Sequence, residues 1–276
     1  MSSTNDNGEQ QIGLLAQWRA AFGRVRTTEA WQEFAETVSV VLQALLIAVV
    51  VRSFLFQPFN IPSGSMIPTL LVGDYLFVSK YAYGYSKHSF PFSPDLFEGR
   101  IMSSDPVRGD VVVFKWPKDN STDYIKRVIG LPGDRIRMIN GHLHINGVPV
   151  KKDMIDRKDI QAGAGYRDRA IRYRETLPNG VSFITQELEV FGSTLGRNTP
   201  EFVVPQGHYF MMGDNRDNSS DSRIPISEGG VGFVPFDNIE GRANIIFFSI
   251  EEGVAGWQIW NWPWAVRGSR LMTGIH

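Results

Sequence analysis

Two serines, Ser63 and Ser65, flank one glycine in the stretch IPSGSMIPTL, residues 61–70, which has a proline on each side of them. A serine hydroxyl becomes an effective nucleophile only when a base takes its proton. Pro, Gly and Ser also dominate turns, so composition alone favours an ordinary linker turn. The stretch is a candidate nucleophile turn only if the rest of the chain supplies a base.

Histidine, the usual base, occurs in no recognisable catalytic motif. The chain lacks a G-x-S-x-G sequence, and none of its five histidines belongs to a triad motif. His142 and His144 alternate on a predicted strand, but no third metal ligand accompanies them. Lysine is the remaining candidate, because a neutral lysine can serve as a general base.

Two lysines lie on predicted strands among uncharged neighbours. In DYIKRVIG, strand alternation places Lys126 on one face with Tyr124 and Val128. If that face is buried, desolvation lowers the pKa of the amine and favours its neutral form. Lys115 in VVVFKWP shows a similar pattern, so periodicity does not choose between the two lysines.

A third polar stretch, GDNRDNSSDSR, spans residues 213–223 and is called the polar loop below. Its composition suits a solvated acidic loop. Its acidic spacing also partly matches a calcium-binding loop. Calcium is disfavoured because Ser222 occupies the position that requires glycine and no helices flank the loop.

Composition excludes several other chemistries. The chain has 276 residues, no cysteine and a formal net charge of −1. The lack of cysteine removes thiol nucleophiles, disulfides and Cys-ligated metals. The balanced charge gives no indication of nucleic acid. We expect no metal, no cofactor and no nucleic-acid partner.

The first positioning element is the apolar run TVSVVLQALLIAVVVRSFLF, residues 37–56. At about 1.5 Å per residue, a helix of this length reaches about 30 Å, the thickness of a bilayer core. Its apolar residues lie on all sides, which favours lipid over a half-buried helix. The sequence predicts a single transmembrane helix.

The charge distribution around this run predicts its orientation. Residues 1–36 carry Arg19, Arg24 and Arg26, whereas Arg52 is the basic residue close to its end. The positive-inside rule then makes residues 1–36 cytoplasmic and places residues 57–276 outside.

After the helix the sequence predicts short strands. VVVFKW and YIKRVIG have strand character, and IRMINGHLHINGVPV contains two Asn-Gly hairpin signals. Residues 151–200 are highly charged and are predicted to form an inserted subdomain. The predicted fold is mostly β: one N-terminal transmembrane helix, then a β-rich extracytoplasmic domain spanning residues 57–276. Four tryptophans near the C-terminus fit either a lipid interface or a core patch: Trp257, Trp260, Trp262 and Trp264.

Five segments together resemble one family, the bacterial type I signal peptidases or leader peptidases. They occur in the family's order: FNIPSGSMIPTL, GDYLFVSKYAYG, RGDVVVFKWP, DYIKRVIGLPGD and GDNRDNSSDSR…GFVP…GRA. Members of this family are membrane-anchored Ser/Lys endopeptidases that remove signal peptides from exported preproteins. Many Gram-negative members have two transmembrane spans, whereas this chain shows one, and residues 151–200 match no part of the family pattern.

The resemblance implies a role for each matching residue. Ser65 aligns with the nucleophile and Lys126 with the general base, which decides between Lys126 and Lys115. Ser63 aligns with a hydroxyl that helps to hold the oxyanion, and Ser219 with a serine that orients the lysine amine. The other implied positions line shallow pockets for an Ala-X-Ala motif or support the polar loop by an ion pair: Phe59, Ile61, Tyr124 and Ile125 for the pockets, and Asp221 and Arg223 for the ion pair.

The resemblance also implies a setting. The expected location is the bacterial inner (plasma) membrane with a periplasmic catalytic domain, and the expected partners are signal-peptide-bearing preproteins, the lipid bilayer and the secretion translocon. A conjugative or pilin-type Ser/Lys maturation peptidase is the alternative that the motifs leave open. A tethered β scaffold with an inert serine turn would require all five segments to match without a function.

Overall fold

The computed structural model describes residues 6–90, 93–95, 98–162, 166–189, 196–254 and 258–275. The chain divides into two compact units, Met1–Val50 and Val51–His276. Helix α1 (Asp6–Phe54) contains the segment Ala30–Phe54, whose mean hydropathy of 2.3 and length of 25 residues would allow it to cross a membrane. The predicted span of residues 37–56 is wrong at its end, because Phe56 already begins the first strand.

The second unit is mostly β, as predicted. A short helix, α2 (Trp262–Ala265), lies near its end. Its described residues form fifteen strands: β1 (Phe56–Asn60), β2 (Asp74–Ser79), β3 (Val111–Lys115), β4 (Asp123–Gly130), β5 (Arg135–Ile139), β6 (His142–Ile145), β7 (Val148–Pro149), β8 (Lys151–Ala162), β9 (Tyr166–Thr176), β10 (Ser182–Leu188), β11 (Phe202–Val203), β12 (His208–Met212), β13 (Phe233–Pro235), β14 (Ile239–Ser249) and β15 (Thr273–Gly274).

These strands form three antiparallel sheets. The largest has the order β1-β2-β14-β3-β4-β12-β13, and β15 pairs with β14. A four-stranded sheet has the order β11-β5-β6-β7, and a three-stranded sheet has the order β10-β9-β8. Both Asn-Gly hairpins are confirmed, because Asn140-Gly141 joins β5 to β6 and Asn146-Gly147 joins β6 to β7, with positive φ at all four residues.

A hydrophobic cluster fixes the candidate nucleophile turn, residues 61–70, to the largest sheet. The turn follows β1 and contains a 3-10 helix, Gly64–Met66. Met66 and Leu70 are fully buried beside Val78 of β2 and Val113 of β3. Burying such side chains stabilises by about 1.5–3 kcal/mol each. The turn is therefore anchored immediately after Ser65.

The region predicted as an inserted subdomain contains regular structure. Most of it forms the three-stranded sheet, and the long hairpin β8–β9 pairs Lys151 with Thr176 at its base. Glu175 of β9 is buried and makes a two-pronged ion pair with Arg216 of the polar loop, at 2.9 and 2.6 Å. Arg216 Nε also donates to the Gly213 carbonyl at 3.2 Å. This sheet thus supports the polar loop.

The C-terminal tryptophans differ in their surroundings. Trp262 packs against Phe248, with ring centroids 5.1 Å apart. Trp260 and Trp264 are 59% and 82% exposed, so a core patch is the wrong interpretation for these two. Trp257 lies outside the described residues. Contact of the exposed rings with lipid stays a prediction.

We predict that Glu175→Ala lowers the free energy of unfolding by about 3–5 kcal/mol, because it leaves a buried arginine charge without its partner. The matched control is Glu201→Ala, since Glu201 pairs with Arg135 at the surface. The control should cost no more than about 1 kcal/mol. The measurement is the urea midpoint of tryptophan fluorescence, and equal small shifts in both variants would contradict the supporting role of Glu175.

Candidate active site

Lys126 of β4, an interior strand of the largest sheet, meets Ser65 of the turn that follows β1. Lys126 Nζ donates to Ser65 Oγ at 2.7 Å and to the Ile125 carbonyl at 2.9 Å. Strand alternation in β4 places Lys126 on the same side as Tyr124, whose ring centroid lies 5.4 Å from Nζ. A serine hydroxyl bonded to a lysine amine is an arrangement in which the amine can accept the hydroxyl proton.

Burial favours the neutral form of this amine. Lys126 is 3% exposed, and desolvation lowers its pKa from 10.5 to about 8, although Asp221 and Asp214 act in the opposite direction. Its two described hydrogen-bond partners are a hydroxyl and a carbonyl, neither of which carries a charge. The amine is therefore close to half-neutral slightly above neutral pH.

Lys115, the second lysine candidate, has the opposite electrostatics. Its Nζ lies 2.6 Å from an Asp123 carboxylate oxygen and 3.1 Å from one of Glu240. Burial would lower its pKa, but the two carboxylates outweigh burial and raise it. Lys115 is thus held as a cation, and the structure separates two lysines that sequence periodicity could not distinguish.

A cleft of about 440 Å³ opens beside the Ser65 hydroxyl. Its walls contain the four residues predicted for substrate pockets, together with both serines of the turn and Lys126. Asn218 and Ser220 of the polar loop also line it. The sequence marked that loop as polar, but a loop has no periodicity that would reveal which of its side chains face a cleft. The four predicted pocket residues are Phe59, Ile61, Tyr124 and Ile125.

The other predicted site residues surround this pair. Ser63 is exposed to the cleft in an extended conformation. Ser219 Oγ is buried without a hydrogen-bond partner among the described residues, so its predicted contact with the lysine amine stays a prediction. Gly213 allows the loop to lie close against the turn, because a Cβ there would overlap Ser219 Oγ and lie 2.5 Å from the Ser65 carbonyl oxygen.

Asp221 and Arg223 form a buried ion pair inside the polar loop. Arg223 donates to both Asp221 carboxylate oxygens at 2.9 Å, and the Gly213 N–H donates to one of them at 3.0 Å. Burial alone would raise the pKa of Asp221, but Arg223 and the backbone donors hold it below its usual value. The loop therefore carries a compensated carboxylate close to Lys126.

The family model and the related sequences agree on one family. A family model described as signal peptidase, peptidase S26, matches residues 34–248. The signal peptidase I of Rickettsia typhi is 40% identical over 261 residues, covering 89% of this chain and 94% of its own. That of Rickettsia canadensis is 42% identical over 230 residues, covering 81% and 80%. A crystal structure of a signal peptidase I from Enterococcus faecalis is 26% identical, with a TM-score of 0.29, covering 50% of this chain and 97% of that one.

We predict that the pKa of Lys126 lies below that of an ordinary lysine and that the pKa of Lys115 lies above it. Side-chain NMR of labelled lysine should show the Lys126 amine losing its proton near pH 8 and the Lys115 amine losing it at a higher pH than an ordinary lysine does. Spectra of Lys126→Met and Lys115→Met assign the two signals. A Lys126 signal that titrates together with the surface lysines would contradict the desolvation argument.

Proposed function

The chain belongs to the signal peptidases of peptidase family S26, and on that premise we propose that Ser65 and Lys126 are its catalytic pair. The reaction is hydrolysis of the peptide bond that joins an N-terminal signal peptide to an exported preprotein. The observation that carries this proposal is the 2.7 Å hydrogen bond from a buried lysine amine to the serine hydroxyl.

The chemistry proceeds in two stages. Neutral Lys126 takes the proton from Ser65 Oγ as that oxygen attacks the carbonyl carbon, and the resulting ammonium then protonates the departing amine. This leaves the signal peptide as an ester on Ser65. Lys126, neutral again, takes a proton from water, which attacks the ester. The tetrahedral species collapses, the proton returns to Ser65, and the signal peptide leaves with a new carboxyl terminus.

Two donors at the turn suit the negative charge that develops on the substrate oxygen. They are the Ser63 hydroxyl, which faces the cleft, and the Ser65 backbone N–H, which has no intrahelical acceptor because it lies in the first turn of the 3-10 helix. Donors fixed in this way stabilise the transition state more than the ground state. The Ser219 hydroxyl, buried and without a described partner, is suited to accept a hydrogen bond from the Lys126 ammonium.

The cleft walls support a preference for small residues before the cut, the Ala-X-Ala pattern. Phe59, Ile61, Tyr124 and Ile125 bring apolar atoms to the cleft beside Ser65. Shallow apolar pockets discriminate mainly by excluding larger side chains. A preprotein with alanine at the two recognised positions therefore fits, and one with bulky residues there does not.

The apolar segment explains why the nucleophile turn follows α1 so closely in the sequence. Ala30–Phe54 anchors the chain in the inner membrane, and the catalytic unit lies on the periplasmic face, as the arginine distribution indicates. A signal peptide is itself apolar and leaves its cleavage site near the membrane surface. The enzyme therefore works where preproteins emerge, beside the secretion translocon.

We predict that Ser65→Ala, Lys126→Met and Lys126→Arg all abolish cleavage of an Ala-X-Ala signal peptide by the full-length protein in detergent. Arginine keeps the positive charge but does not release its proton at a workable pH, so it cannot act as the base. Lys115→Arg is the matched control and should remain active, because it preserves the ion pairs with Asp123 and Glu240. Activity in folded Lys126→Arg would remove Lys126 from the mechanism.

We predict that a reporter fused after residue 276 is active only in the exported compartment. A reporter fused before residue 1 is the matched control and should be active only in the cytoplasm. Fluorescence or enzymatic activity in intact cells reports the compartment in which each fused reporter lies. The reverse pattern would overturn the proposed orientation and leave the Ser65–Lys126 chemistry untouched.

A further inference from the structure

Asn215 of the polar loop holds both peptide groups that flank the Ser65 Cα. Its Nδ2 donates to the Gly64 carbonyl at 2.9 Å, and its backbone N–H donates to the Ser65 carbonyl at 3.1 Å. The residue is buried. None of the proposed catalytic steps uses Asn215, yet it is bonded to the backbone on either side of the nucleophile.

The bond to the Gly64 carbonyl fixes the direction of a catalytic donor. The Gly64 carbonyl and the Ser65 N–H belong to one trans peptide group, in which the C=O and N–H bonds lie in a plane and point in opposite directions. Restraining the carbonyl oxygen therefore restrains the N–H. The Asn215 amide acts on the far side of the peptide from the place where substrate negative charge develops.

Asn215 is itself held by a neighbouring strand. It forms a parallel bridge with Gln186 of β10. The Gln186 N–H donates to the Asp214 carbonyl at 2.8 Å, and the Arg216 N–H donates to the Gln186 carbonyl at 2.9 Å. The amide is thus attached to a sheet, so its position is set by regular backbone rather than by a free loop.

The amide makes this contact although its other end is unsatisfied. Asn215 Oδ1 is buried and has no hydrogen-bond partner among the described residues. A buried acceptor without a donor is unfavourable for stability. Turning the amide over would bring Oδ1 against the Gly64 carbonyl oxygen, two acceptors facing each other, so Nδ2 must point at Gly64. The Asn215 side chain therefore contributes more to the orientation of the Gly64 peptide group than to the stability of the fold.

We propose that Asn215 is a positioning residue that aims the Ser65 backbone N–H at the substrate oxygen by holding the Gly64 carbonyl. This inference rests on the proposed role of Ser65 as the nucleophile. Because the substrate oxygen carries most negative charge in the transition state, a misdirected donor lowers kcat and leaves KM nearly unchanged.

The test uses Asn215→Leu in the full-length protein in detergent. Leucine has nearly the same size and removes both the Nδ2 donor and the unsatisfied Oδ1. We expect kcat for an Ala-X-Ala signal peptide to fall at least about 10-fold, with KM within about twofold. Asn215→Asp keeps the shape but replaces the donor with an acceptor, and it should show the same loss of kcat.

Asn238→Leu is the matched control. Asn238 is also buried, and its Nδ2 donates to a backbone carbonyl, that of Lys115, at 3.0 Å. That bond lies outside the catalytic turn. The control should change the melting temperature without lowering kcat. It therefore separates the effect of lost packing from the effect of a misdirected Ser65 backbone N–H.

The outcomes distinguish this inference from the proposed function. Full kcat in folded Asn215→Leu, with Ser65→Ala inactive, overturns the inference and leaves the catalytic pair in place. Activity in Ser65→Ala overturns both. A rise in KM alone, or a shift in the acidic limb of the pH profile, also overturns the inference, because Asn215 would then act on substrate binding or on Lys126.

Discussion

The hydrogen bond between Lys126 and Ser65 constrains the burial and the charge of the surrounding residues, because a lysine amine must be buried deeply enough to lose its proton near neutral pH. Desolvation lowers the pKa of Lys126, and any bare carboxylate nearby would raise it again. The proposed catalytic pair therefore requires a site that contains few uncompensated negative charges and that excludes water from the amine.

The polar loop meets this requirement by matching its buried acids with arginines. Asp214 pairs with Arg127 at 2.7 Å, and Asp221 pairs with Arg223 at 2.9 Å, each pair almost fully buried. Each arginine offsets part of the field that its carboxylate would exert on Lys126. The loop also presses against the turn at Gly213, where a side chain would collide with the Ser65 carbonyl oxygen. The same segment thus sets both the charge and the geometry of the site.

Much of this arrangement follows from the sequence, and the part that does not has identifiable causes. Alternation in β4 predicted that Lys126 shares a face with Tyr124, and the Asn-Gly pairs predicted the two hairpins of the four-stranded sheet. Neither signal could separate Lys126 from Lys115, because the difference lies in Asp123 and Glu240, and Glu240 is more than a hundred residues away from either lysine in the chain. Long-range ion pairs leave no local pattern.

The roles of residues 151–200 and of Asn215 were not predictable for related reasons. Charged residues recur along β8 and β9, so the sequence pattern does not reveal these strands. Their support of the site depends on one buried contact, Glu175 with Arg216. Asn215 sits in a loop where every side chain is polar, so its composition gives no sign that this amide, unlike that of Asn218, reaches the Gly64 carbonyl. Loop conformation decides both contacts.

The pH dependence of kcat/KM for the unmodified full-length protein tests the central claim most directly, because this ratio reports the ionisation of the free enzyme. Only the neutral lysine accepts the serine proton, so the rate should rise with pH through a single ionisation whose midpoint is about 8, the pKa that burial gives Lys126. An acidic limb centred near the ~6.5 of an ordinary histidine, or no acidic limb at all, would contradict a catalytic base made from a desolvated lysine.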